Sequence, residues 1–191
     1  METRYNNSID LQPLYDYCEQ HGEVAFYDKG ERLTCEGEPA QWWALVKQGG
    51  FKYVTHGISD GSEHIVWFSF AGEFAGDYPN VLHGGLSRMT LEAMMPSQVL
   101  RISGERLREF FNQNIETKEL QSLCTERLLT QFQAHYIDRC RCTTRERYEQ
   151  LLSRCPGIIN DLSLKDIASF LNVTPNYLSN IRKDITFSKE E

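Results

Sequence analysis

Residues 162–183 constrain the chain more than any other stretch, because they can satisfy only a short helix, a tight break and a second helix. Ser163 is suited to cap the first helix, and Asp166 three residues on stands near the capping-box position. Ile167, Ala168 and Leu171 then recur at helical spacing. Ala168 is small where two helices crossing steeply would touch. Asn172 and Val173 break the helix: Asn tolerates a left-handed backbone and Val173 can plug the turn. Thr174 caps the second helix and Pro175 takes its first position, where a missing N–H costs nothing. Leu178 and Ile181 point inward, which leaves Asn176, Tyr177, Ser179, Asn180, Arg182 and Lys183 to face a partner. An ordinary helical hairpin is the plainer reading. A helix-turn-helix that reads DNA fits more of the residues.

A net charge of −7 argues against that reading until it is divided along the chain. Residues 143–191 carry seven basic and seven acidic side chains, so the whole surplus lies in the first 142 residues. A neutral module with local Arg and Lys is compatible with DNA binding and argues against broad, charge-driven affinity for nucleic acid. The six cysteines include no Cys-x-x-Cys, and Cys140 and Cys142 stand two apart, so reduced structural thiols are expected, without disulfides. The first residues offer no secretory leader, and no run reaches the ~18 apolar residues of a membrane span. A cytoplasmic protein without membrane contact is the expectation.

Short apolar runs cut by turn residues fill the stretch from 23 to about 102: 24–26, 33–35, 42–46, 51–56, 64–70, 90–94 and 99–102. They predict an antiparallel sandwich or barrel, preceded by a short helix over 9–21 and succeeded by another over 104–112. Ser59, Asp60, Gly61 and Ser62 mark a hairpin turn. From about 115 to 141 the chain has no Gly or Pro and is rich in helix formers. Apolar residues on more than one side of that helix could face both the barrel and a second copy of the chain, although Arg127 and Gln131 interrupt a strict heptad. A helix buried only within one protomer is the competing reading. Thr143 and Thr144 open a further helix that Pro156 and Gly157 end.

Barrel, long helix and helix-turn-helix in this order resemble the cyclic-AMP receptor and fumarate–nitrate regulator superfamily of bacterial transcription factors. Gly37, Glu38, Pro39 and Ala40 before the 42–49 segment resemble one hairpin motif of that family, and the 70–77 segment resembles the entry to its phosphate-binding cassette. The resemblance implies an α+β fold. Its parts would be an N-terminal β-roll (double-stranded β-helix) sensor over 1–114, a dimerisation helix over 115–142 and a helix-turn-helix over 143–191, with a short or absent wing. It also implies a homodimeric, cytoplasmic transcription regulator, activator or repressor. Double-stranded DNA and a second copy of the chain would be its partners, with RNA polymerase a further one. DNA contacts would fall to Thr174, Pro175, Asn176, Tyr177, Ser179, Asn180, Arg182 and Lys183.

The cassette departs from the family pattern. Family members that bind cyclic AMP carry Gly-Glu and, about ten residues later, Arg-Ser. Here Gly76 is kept, Asp77 replaces Glu, Ser87 stands at the Arg position and Arg88 at the Ser position. Gln131 and Phe132 stand where adenine contacts would come. These six are the candidate ligand residues, with Asp77 and Arg88 equally readable as a solvated pair. Cyclic AMP is not the expected effector, and no cofactor or metal is expected. His56, His64 and His83 read as ordinary strand and turn histidines, and only Cys18 and Cys35 lie where an iron–sulfur cluster would want a cysteine group. No catalytic residues are expected, since Glu73 and Asp77 have no accompanying nucleophile or metal pattern. The competing readings are a ligand-binding or protein-interaction β-barrel without specific DNA binding, and a cupin-like enzyme, against which the lack of His-x-His speaks.

Overall fold

The computed structural model describes residues 10–187. A first helix, α1 (Gln12–His21), leads into eight strands: β1 (Glu23–Tyr27), β2 (Arg32–Thr34), β3 (Trp42–Gln48), β4 (Gly50–His56), β5 (Glu63–Phe70), β6 (Phe74–Ala75), β7 (Thr90–Ala93) and β8 (Ser97–Ser103). A short helix, α2 (Tyr78–His83), interrupts them after β6. The strands form two antiparallel four-stranded sheets, in the orders β1-β8-β3-β6 and β2-β7-β4-β5, so the chain alternates between layers as a roll does. Phe51, Leu91, Val99, Val46 and Ala44, all fully buried, fill the space between them. The seven expected strands are present within a residue or two, and β4 and β5 are joined across the predicted turn. The two-residue β6 and the six-residue α2 were not expected: each is too short to show a period, and both form only where the chain folds back on β3.

The remaining helices are α3 (Gly104–Phe111), α4 (Ile115–Arg141), α5 (Thr144–Arg154), α6 (Ile158–Asp161), α7 (Leu164–Leu171) and α8 (Pro175–Phe187). Local chemistry explains the starts. Asn114 and Thr117 form a reciprocal cap on α4, and Thr143 and Glu146 do the same for α5. At ~1.5 Å per residue α4 is roughly 40 Å long. Leu120 and Cys124 sink its inner face into a core with α1, α3 and β3. Among the described residues, no helix is long and apolar enough to cross a membrane.

The C-terminal helices do not stand apart from the roll. Val54, Ile65, Phe68 and Met94 of the roll share one core with Tyr148, Leu151, Ile167, Ala168, Leu171 and Leu178. Strand β5 lies at the edge of its sheet, where unpaired N–H groups need a partner. One of them, the Ile65 N–H, donates to Ser169 Oγ of α7 at 3.0 Å.

Candidate functional site

The α7–α8 pair has the local geometry its residues predict. Ser163 accepts from the Asp166 N–H, and Asn172 takes the left-handed conformation at φ 57°, the only non-glycine among the described residues to do so. Thr174 Oγ1 accepts from the Tyr177 N–H at 3.2 Å. Ala168, fully buried, lets the helices touch; Leu178 and Ile181 close the inner side of α8. Asn176, Tyr177, Asn180 and Lys183 are exposed with Thr174 and Pro175, and Ser179 and Arg182 are half-buried beside them. The eight expected DNA-contact residues therefore occupy one end and one outer side of a single helix, a polar surface with two cations. Residues 188–191, part of the segment where a wing would begin, lie outside the described residues.

A ring of contacts fixes this helix pair to the roll. Phe170 packs on the buried Phe68 at 4.8 Å, and Lys52 of β4 reaches Asp166 at 3.9 Å. Arg154, at the end of α5, directs one guanidinium nitrogen to both Glu73 carboxylate oxygens, at 2.7 and 2.9 Å, and to the Phe68 carbonyl at 3.1 Å, and lies over Trp67. His135 of α4 fills the gap between, against Trp67 and Phe170. Burial holds its pKa below the usual imidazole value, helped by Arg139, Arg147 and Arg154 and opposed by Asp138. The unfolded chain therefore takes up this proton before the folded one does. Stability from neutral His135 is complete above its unfolded pKa of about 6.5 and is lost as pH falls below it. We expect the melting temperature to drop between about pH 7.5 and 5.5, and to drop less in His135→Phe. Equal drops in the two proteins would contradict this.

The cassette departs from expectation at Asp77. Its side chain is buried, at 5% exposure, and its carboxylate accepts from the Asn80 side chain at 2.9 Å, the Arg88 N–H at 3.0 Å and Ser87 Oγ at 3.3 Å. Asp77 and Arg88 are thus not a solvated pair: the bond uses the Arg88 backbone, while the Arg88 side chain is exposed. Ser87 is buried, and its single hydroxyl proton is shared between the Asp77 carboxylate and the nearer Met89 carbonyl, at 2.7 Å. The Gly76 N–H is also taken, by Tyr53 OH at 3.2 Å. Burial pushes the Tyr53 phenol up to about 12, so it stays protonated.

Beside this closed loop lies a cavity of about 440 Å³ between α1, the roll, α4 and the end of α5. Gly76, Asp77, Gln131 and Phe132 line it; Ser87 and Arg88 do not. Arg127 and Arg154 also line it, and neither was singled out from the sequence. Arg127 could be seen there only as a break in the heptad. Cys18 and Cys124 are buried near the cavity, and burial pushes both thiols up to about 12, which keeps them unreactive. Among the described residues no group of three His, Cys, Asp or Glu is placed to hold a metal.

Leu129 (57% exposed) and Phe132 (52%), which edge the cavity, and Tyr136 (70%), beyond it, leave much of their surface open along α4. They fall at i, i+3 and i+7, the spacing of a coiled-coil seam, and Ile115 and Ser122 continue the seven-residue row towards the helix start. The chain thus leaves Ile115, Leu129, Phe132 and Tyr136 largely open to water along its longest helix.

Residues 24–114 match the cyclic nucleotide-binding domain family. No curated protein sequence matches the chain significantly. Several solved structures share its fold along most of its length. FixK2 from Bradyrhizobium japonicum aligns with a TM-score of 0.74 at 20% identity, covering 88% of this chain and 86% of that one. The c-di-GMP-responsive global regulator CLP of Xanthomonas campestris aligns at 0.64 and 15% identity, covering 94% and 93%. The catabolite activator protein of Thermus thermophilus aligns at 0.56 and 13%, covering 97% and 87%.

Proposed function

We propose that this chain is a homodimeric, DNA-binding transcription regulator, its residues 24–114 being a cyclic nucleotide-binding-type domain and its architecture that of the cyclic-AMP receptor and fumarate–nitrate regulator superfamily. The observation that carries the reading is α8: its inner side is buried in a shared core, and its outer side is a polar surface of Asn, Tyr, Ser, Arg and Lys. An α-helix so mounted fits the major groove, with its early residues on base edges. Two copies related by a two-fold axis along α4 would set two such helices about 34 Å apart, one turn of DNA. RNA polymerase would be met by the complex on DNA.

Asn176 and Asn180 are suited to bidentate contact with adenine, which favours A·T pairs in the half-site. Arg182 and Lys183 are suited to phosphates, with Ser179 and Tyr177 assisting. Fluorescence anisotropy on a bound duplex tests the division. Asn180→Ala should lose ~1–3 kcal/mol on the preferred sequence and tolerate change at one position per half-site. Lys183→Ala should weaken all sequences about equally and flatten the dependence on salt by about one charge. The reading fails if Asn180→Ala weakens every sequence alike.

Cyclic AMP is not the effector on this reading. The N–H of Arg88 and the hydroxyl of Ser87, which would face a phosphate, already serve the Asp77 carboxylate. A phosphate placed there would sit against the buried Asp77 carboxylate, which already uses those two donors, a repulsive arrangement in a low-dielectric site. Cyclic AMP at about 1 mM should leave the melting temperature unchanged. A ligand at 100 times its dissociation constant would add ~2.7 kcal/mol, so a shift of several degrees would refute this.

A further inference from the structure

The cavity beside the closed cassette has chemistry of its own. Tyr15, Trp43, Phe74 and Tyr78 line one side of it, with Trp43 stacked on Phe74 at 5.5 Å and 15°, and Tyr15 and Tyr78 each about 5 Å from one of these rings. Leu128, Leu129 and Met89 add aliphatic surface. Its volume of about 440 Å³ falls within the ~300–1,000 Å³ of small-molecule sites, and far exceeds the voids that ordinary core packing leaves.

Three polar groups in the lining lack partners. The buried Trp43 Nε1–H donates to nothing. The buried Tyr78 hydroxyl makes no well-formed hydrogen bond, Thr125 being the polar group beside it. Arg127, half-buried, has neither ion pair nor hydrogen bond among the described residues, while the other lining guanidinium, Arg154, is taken by Glu73. Buried polar atoms left unsatisfied are rare enough to call for a ligand or solvent partner. An indole N–H and a guanidinium can only donate, and the phenol, pushed up by burial, stays protonated and can donate too.

We propose that this cavity binds an aromatic acid, its ring against Trp43, Phe74 and Tyr78 and its carboxylate on Arg127. The pairing is charge-assisted and takes place in a largely apolar site, where an unpaired ligand amide would gain much less. Because Arg154 of α5 joins α4 and the roll in the lining, occupancy bears on the segment that carries the helix-turn-helix. The word effector for this acid rests on the regulator reading; its binding does not.

Isothermal titration of the full chain with indole-3-acetate and with phenylacetate tests the site, each acid compared with its own amide and with hexanoate. We expect at least one acid to bind with one site per chain, and its amide and hexanoate to bind at least about tenfold more weakly. Arg127→Gln should erase the preference for acid over amide without lowering the melting temperature, and Arg127→Lys should retain part of it. The proposal is overturned if neither acid binds, if acid and amide bind equally, or if Arg127→Gln leaves the preference intact. DNA binding by the same preparations separates the two readings. Acid preference without sequence-specific DNA binding overturns the regulator alone, and specific DNA binding without acid binding overturns the cavity proposal alone.

Discussion

The double variant Leu129→Glu with Tyr136→Glu is expected to be a folded monomer at micromolar concentration. Both side chains are more than half exposed in the protomer, so replacing them leaves its core intact. In a dimer they would lie near the two-fold axis, each against its copy, and four carboxylates along one seam repel while losing apolar burial. Affinity for a duplex with two half-sites should then fall roughly 10²–10⁴-fold, the gain that linking two binding modules provides. Light scattering reads the first effect and anisotropy the second. Ile58→Glu, on the exposed β4–β5 turn, should change neither. A dimer that survives the double substitution would place the interface elsewhere.

Phe68→Ala should cost about 3–5 kcal/mol, the usual loss for a fully buried Phe. For a chain of this size that corresponds to a fall of roughly 6–20 °C in melting temperature. The position is unusual in the elements it joins: Phe68 belongs to the roll, but Phe70 and Phe170 pack on it and Arg154 donates to its carbonyl. Calorimetry should therefore show the helix-turn-helix and the roll losing stability together, as one broadened or lowered transition. A loss confined to the roll, with the C-terminal helices melting as before, would contradict the shared core. Phe68→Leu, which keeps most of the volume, should cost much less.

Features that neighbouring residues decide among themselves are plain in the sequence. Asn172 reads as a left-handed break and Thr174-Pro175 as a helix start because caps and turns depend on residues two to four positions away. The strands read well for the same reason, from alternation and turn residues. Docking of α7 on β5 was not legible: Ser169 and Ile65 lie far apart in sequence, and nothing in either residue announces the other. Asp77 shows the limit most clearly. Aligned by residue type it looks like a shortened ligand contact. Only the closure of the loop through Asn80, Ser87 and Arg88 turns it into an internal counterpart of the anion the cassette would otherwise hold. Arg127 misled in the opposite direction, since the residue that spoils the heptad is one that lines the cavity.

Selection of bound sequences from random double-stranded DNA by the full-length protein tests the regulator reading most directly. The expected result is an enriched inverted repeat, rich in A·T at the positions met by Asn176 and Asn180, with half-site centres about 10–10.5 base pairs apart. Recovery of unenriched DNA, or of a single unrepeated half-site, would contradict it.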